Sequence, residues 1–207
     1  MDAEGYSRMS TSELSSRAPH RGTAIEMAIS GVIGLCASFV LSIEAWQLAS
    51  DDGRRFSCDV SSVLSCSAVA STPQARVLGF PNAFLGIFFE AIVLAVSFAL
   101  IAGVRFPKWY ILCVEALYTI GVLFAYWLFT QSYFVIHVLC PWCLLITITT
   151  TLVWFGLTRV CIKQGVLPAP NWWKAVMKSG GDWLVAVLVI TAILAMIAFR
   201  YGPLLFG

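Results

Sequence analysis

From Ala116 to Thr158 the chain carries no Asp, Glu, Lys or Arg. One helix over those 43 residues would be about 65 Å long at 1.5 Å per residue. The hydrocarbon core of a bilayer is only about 30 Å thick. The segment therefore has to cross a membrane, turn and cross back. Its only polar punctuation is "TQSYFVIH", residues 130–137, which predicts a short turn there. The composition agrees: 59% of the 207 residues are hydrophobic and 12% are charged, where a soluble domain is about a quarter charged.

Five stretches reach the roughly 20 apolar residues that a spanning helix needs. They run from about Ala24 to Trp46, Ala83 to Val104, Trp109 to Thr130, Cys140 to Thr158 and Trp183 to Phe199. Residues 1–23 hold seven Ser or Thr and no sustained apolar period, the composition of a disordered tail. The first span is too long for a signal-peptide core and has no small-x-small cleavage pattern at its end, so it reads as a retained anchor. With the tail inside, Arg8, Arg17, Arg21, Arg105, Lys108, Arg159, Lys163, Lys174 and Lys178 are cytoplasmic, nine of the thirteen basic residues. Arg54, Arg55, Arg76 and Arg200 fall outside. That distribution follows the positive-inside rule, and the reverse orientation violates it. The net charge of +2 is then a topological bias and no sign of a nucleic-acid surface.

This topology sorts the seven cysteines. Cys58 and Cys66 fall in the long outer loop 47–82, Cys140 and Cys143 at the outer end of span four, Cys36 and Cys113 within spans one and three, and Cys161 at the inner end of span four. Four thiols thus gather on the oxidising side. In "CPWC" Cys140 is positioned to cap span four, with Pro141 as its first residue, where a missing N–H costs nothing. A helix N-terminus stabilises a thiolate, the form that attacks disulfides. The pair therefore reads as redox-active. A zinc site needs four ligands, and His137, the one imidazole nearby, reads as a helix-end polar contact. In "CDVSSVLSC" the spacing of Val60, Val63 and Leu64 predicts one apolar face of a short helix, with Asp59, Ser61 and Ser62 as capping groups. In a continuous helix Cys58 and Cys66 would lie roughly 12 Å apart along the axis, beyond the ~7 Å Cα separation that a disulfide spans. Either the segment bends, or the two cysteines take different partners at different times. Cys36, Cys113 and Cys161 read as ordinary buried thiols. Glu90 and Glu115 are carboxylates inside apolar spans, costly and therefore functional candidates. Pairing with Ser, Thr or Tyr between helices is the simpler reading, and proton delivery from Glu90 the alternative.

"CDVSSVLSC", then "FPNAFLG" opening span two, then "CPWC" opening span four, resembles the vitamin K epoxide reductase family, most closely its actinobacterial type, from about Ile33 to Thr158. The resemblance implies an all-α integral membrane protein. Four helices form a bundle around a quinone, a fifth transmembrane helix stands beside it, and a short helix in the first extracytoplasmic loop caps the pocket. It divides the chain into a disordered cytoplasmic tail (1–23), a catalytic bundle (24–160), a cytoplasmic loop (161–182) and a fifth span with a short extracytoplasmic tail (183–207). It implies Cys140 and Cys143 as the active-site pair, with Cys143 nearest the quinone. Cys58 and Cys66 are then the shuttle pair, Cys58 facing a protein partner and Cys66 exchanging with Cys140. Asn82, Leu85, Phe89 and Thr147 take quinone-pocket positions, Asn82 hydrogen-bonding a quinone carbonyl. Thr147 stands where relatives often have Tyr. Many bacterial relatives carry a thioredoxin-like domain after span five; here the sequence ends at Gly207, which predicts a separate partner.

The expected activity is a thiol oxidase of the inner (plasma) membrane. It passes electrons from a secreted thioredoxin-like or DsbA-like protein, through two cysteine pairs, to menaquinone or ubiquinone among the membrane lipids. A DsbB-type oxidase is the alternative within the same chemistry, though its first pair is usually a CxxC. A reductant exporter would need reactive thiols reachable from inside, where only Cys161 lies. A metal-handling membrane protein would need more than two histidines. Metal and nucleic acid are not expected ligands.

Overall fold

The structure, a computed structural model, describes residues 21–50 and 56–206, with 204–206 by backbone alone. The tail 1–20 and the loop arginines Arg54 and Arg55 lie outside the described residues. The helices are α1 (Arg21–Ser50), α2 (Cys66–Ala70), α3 (Ala83–Ile101), α4 (Lys108–Thr130), α5 (Pro141–Lys163), α6 (Asn171–Lys178) and α7 (Gly181–Phe206). The five long ones are apolar enough to cross a membrane. The protein is an all-helical, multi-pass membrane bundle of the expected plan.

Two local expectations need correction. The "TQSYFVIH" turn is helical: α4 continues as a π-helical turn, Gln131–Ile136. The reversal comes only at His137, in the left-handed region at φ 61°. Without a charge or glycine in 130–136, nothing ends the backbone ladder sooner. The helix expected between Cys58 and Cys66 is displaced. Residues 56–64 form a tight turn, and α2 begins at Cys66, with Ser65 Oγ capping the Ala68 N–H at 3.2 Å. Val63 and Leu64 pack beside Tyr133 and Leu139, while Val60 is 72% exposed, so no single apolar face forms. Residues 161–182, expected to be a loop, contain α6.

Helix α1 is central, packed against both α3 and α5, and α4 closes the bundle on α5. Close approach depends on small residues. A side chain at Gly86, in the "NAFLG" motif, would collide with Ser38 of α1. One at Gly34 of α1 would collide with the Glu90 carboxylate and with Thr149 Oγ1. The core between these contacts holds Met27, Val93, Val96, Tyr118, Val153 and Leu157. Helix α7 packs on α5 and α6. Arg159 at the end of α5 holds Asp182 at the start of α7 bidentately, at 2.9 and 3.0 Å, and donates to the Met177 carbonyl at 2.9 Å.

Candidate functional site

The site starts from one carboxylate. Asp59 accepts the Phe56 N–H at 2.8 Å, the Ser67 N–H at 3.0 Å and the Ser65 hydroxyl at 2.8 Å. Those three bonds curl the chain so that Cys58 and Cys66, with Cα atoms 5.7 Å apart, form a disulfide. The segment bends, as one of the two sequence-level readings required. Burial pushes the Asp59 carboxyl up, but the donors from Ser67, Phe56 and Ser65 outweigh it and hold it at about 2. An unfolded Asp titrates near 4. The stabilisation is therefore complete above that pH and is lost as pH falls from about 4 towards 2. Hydrogen exchange around Phe56 and Ser67 should speed up over that window. Asp59→Asn, losing a charge-assisted bond of about 1.5–3 kcal/mol, should exchange at least about tenfold faster at neutral pH and lose the acid transition. Unchanged exchange would mean that the disulfide alone shapes the turn.

The curled loop is pinned to the residues before "CPWC". Ser65 N–H donates to Leu139 O at 3.0 Å, and Leu139 N–H donates to Val63 O at 2.9 Å, a one-rung parallel bridge. This seats Cys66 beside Cys140, sulfur to sulfur at 3.1 Å. Cys140 caps α5, its sulfur accepting the Cys143 N–H at 3.2 Å, and Pro141 is the first helical residue. Cys140, Cys143, Cys36, Cys113 and Cys161 are free thiols. Cys66 therefore stands between two partners, bonded to Cys58 and in contact with Cys140. Cys58 is only 6% exposed in this state, packed with Leu41, Leu48 and Phe56.

Below the thiols lies a cavity of about 140 Å³, where a single water needs ~10–15 Å³. Cys66, Cys140 and Cys143 line it, and so do Asn82, Leu85, Phe89 and Thr147. Of the eight residues singled out in the sequence, Cys58 alone stands outside the lining. Phe89 meets Tyr118 edge-on at 6.1 Å. Asn82 makes no side-chain cap for α3. Its amide donates to Gln74 O at 2.7 Å and accepts the Val77 N–H at 3.2 Å, strapping the 3₁₀ turn Pro73–Arg76 to the helix. One amide N–H remains for a ligand. Thr147 donates to Cys143 O at 2.9 Å within its own helix, leaving its oxygen an acceptor. His137 sits at the end of the π turn, where its Nδ1 accepts from Arg200 at 2.9 Å, a helix-end polar contact as expected.

Glu90 forms part of the cavity lining and accepts from Tyr118 at 3.3 Å. Glu115 accepts from Thr158 at 2.6 Å. Both are the paired intramembrane carboxylates that sequence reading favoured. Two more went unnoticed: Glu26, which accepts from Ser30 at 3.1 Å, and Glu44, buried beside Cys58. An isolated acid in an apolar span was the available signal for each.

The model of the Vitamin K epoxide reductase family matches residues 25–158, from the first turns of α1 to near the end of α5. A comparison with curated proteins finds no match.

Proposed function

The chain belongs to the vitamin K epoxide reductase family, and from that premise we propose that it is a quinone-coupled thiol oxidase whose four clustered cysteines form an electron relay. The observation that carries this reading is the position of Cys66, disulfide-bonded to Cys58 and 3.1 Å from Cys140. Thiol–disulfide exchange proceeds by thiolate attack through a mixed disulfide. A chain of contacts Cys58, Cys66, Cys140, Cys143, ending at an apolar cavity, has the order that such a relay needs.

In this reading a thioredoxin-like partner presents its thiolate to Cys58, and the buried position of Cys58 requires the 56–64 turn to swing aside first. Cys66 is released as a thiolate and attacks Cys140 of the oxidised Cys140–Cys143 pair; the Cys66–Cys140 bond forms, the Cys140–Cys143 bond breaks, and Cys143 leaves as a thiolate at the cavity wall. The lining fits a quinone head: Leu85 and Phe89 supply apolar walls, and Asn82 has an uncommitted N–H. When bound there, a quinone supplies the two-electron sink. The orientation places the cysteine end outside the plasma membrane. It is supported by Arg21, Arg105, Lys108, Arg159, Lys163, Lys174 and Lys178, which flank the opposite helix ends.

The test is thiol consumption by the purified protein in lipid, with and without added menaquinone or ubiquinone. Consumption that follows quinone supports the oxidase, and a quinone identified in the preparation by mass spectrometry names the acceptor. Thiol consumption indifferent to quinone would overturn it. Asn82→Asp gives a finer check. The carboxylate keeps an acceptor for the Val77 N–H but donates nothing. Loss of a hydrogen bond worth about 1–3 kcal/mol should slow the quinone step about 5- to 150-fold. Wild-type quinone turnover in Asn82→Asp would leave Asn82 only the task of strapping the loop.

A further inference from the structure

Glu44 lies near the end of α1 and is 9% exposed. Its Oε1 is doubly held, by the Ser57 N–H at 2.9 Å and the Ser57 hydroxyl at 2.6 Å. Those bonds fix the carboxylate plane and leave Oε2 aimed at Cys58 Sγ, 3.8 Å away. As half of a disulfide, that sulfur carries no proton, and the contact is a van der Waals one. Once Cys58 is a thiol, the same separation is a sulfur hydrogen bond. We propose that Glu44 is the catalytic acid and base of Cys58, the group that takes its proton when it attacks and returns it when it leaves. This deepens the relay reading and rests on it.

After the partner departs oxidised, Cys58 is a thiol and Cys66 is bonded to Cys140. Glu44 Oε2 takes the Cys58 proton as Cys58 Sγ attacks Cys66 Sγ. The Cys58–Cys66 bond forms, the Cys66–Cys140 bond breaks, and Cys140 leaves as a thiolate facing the Cys143 N–H. In the opposite direction, Cys58 leaves as a thiolate and recovers the proton from Glu44. No further oxidant enters either step. A buried carboxylate and a buried thiolate in contact repel, so handing the proton from one to the other avoids two negative charges side by side. Among the described residues, the thiols of Cys66, Cys140 and Cys143 share the cluster around Cys58, and Asp59 reaches the same turn through the Phe56 N–H. Asp51, Asp52, Arg54 and Arg55 lie outside the described residues.

General acid–base catalysis contributes about 10²–10⁴-fold. The test isolates the outer pair in a Cys140→Ala/Cys143→Ala protein, in lipid and without quinone. Oxidised glutathione closes the reduced Cys58/Cys66 pair, and the free thiols are counted by mass-tagging. Glu44→Gln keeps an oxygen for Ser57 but cannot accept a proton. It should slow closure at least about tenfold at neutral pH, with the deficit shrinking as pH rises and Cys58 ionises unaided. Glu44→Asp should recover part of the rate. An equal or faster rate in Glu44→Gln, or a loss that is the same at every pH, overturns the proposal. A second arm uses Cys58→Ala/Cys66→Ala protein, in which a small dithiol feeds Cys140 and Cys143 directly. There Glu44→Gln must leave quinone reduction unchanged, and a loss would make Glu44 part of the scaffold. If wild-type protein fails to reduce quinone, the oxidase reading fails while the glutathione arm still decides on Glu44.

Discussion

Cys143→Ala is expected to abolish quinone reduction, lowering it by at least about 10³-fold, the scale seen when a covalent catalytic group is removed. The effect is expected to be this large because no other thiol can take its place. Among the free cysteines, Cys140 shares the cavity wall, but its sulfur faces Cys66 and accepts the Cys143 N–H. Cys36 and Cys113 sit on outward-facing helix surfaces, and Cys161 is buried at the far end of α5. Cys36→Ala, Cys113→Ala and Cys161→Ala should each keep activity within about twofold, in line with the small effect usual for substitutions away from a site. The measurement is quinol formation by stopped flow with a small dithiol as donor, which bypasses the protein partner. Cys58→Ala separates from Cys143→Ala in this assay. It should lose turnover with a thioredoxin-like protein and retain much of it with the dithiol. Full activity in Cys143→Ala would end the relay scheme, and equal loss in both assays for both variants would argue that the cysteines form no ordered path.

The spans were legible because hydropathy is a property of the chain itself, and spacing alone required the Cys58–Cys66 segment to bend if the two were to bond. A bilayer admits few ways to arrange five apolar segments, and both ends of α3 came out within about three residues of the expected span. Features that depend on contacts between distant residues were not legible. Asp59 was read as a cap for a helix between the cysteines, yet it serves the turn, because its acceptors capture donors both three residues before it and eight after it. The resemblance implies Asn82 only as a donor to a quinone carbonyl. Its bonds to Gln74 and Val77 exist only because the 3₁₀ turn folds back over α3. Helix α6 was missed because eight residues with two tryptophans carry too little apolar length to register as a span. Glu44 was missed for a related reason. In the sequence it is a lone acid 14 residues from Cys58, and only the curled loop brings Ser57 and Cys58 onto it.

Cys66 and Cys140 are expected to form a stable disulfide when Cys58 and Cys143 are removed. In a Cys58→Ala/Cys143→Ala protein the two remaining relay thiols already touch at 3.1 Å. The rung between Val63, Ser65 and Leu139 holds the two backbone segments side by side. Groups held in reacting geometry gain effective concentrations of about 10⁵ M or more, so closure should outrun capture by millimolar glutathione and approach completion under mild oxidation. The control is Cys66→Ala/Cys143→Ala, which leaves Cys58 and Cys140. Cys58 sits behind Cys66 and outside the cavity lining, so it should reach Cys140 in at most about a tenth of the molecules, a difference of roughly 1.4 kcal/mol or more between the pairs. Digestion and mass spectrometry of the linked peptides reads both outcomes. Equal cross-linking of the two pairs would mean that the loop carrying Cys58 and Cys66 moves freely over α5. The relay would then depend on collision, and the ordered path through Cys66 would be wrong.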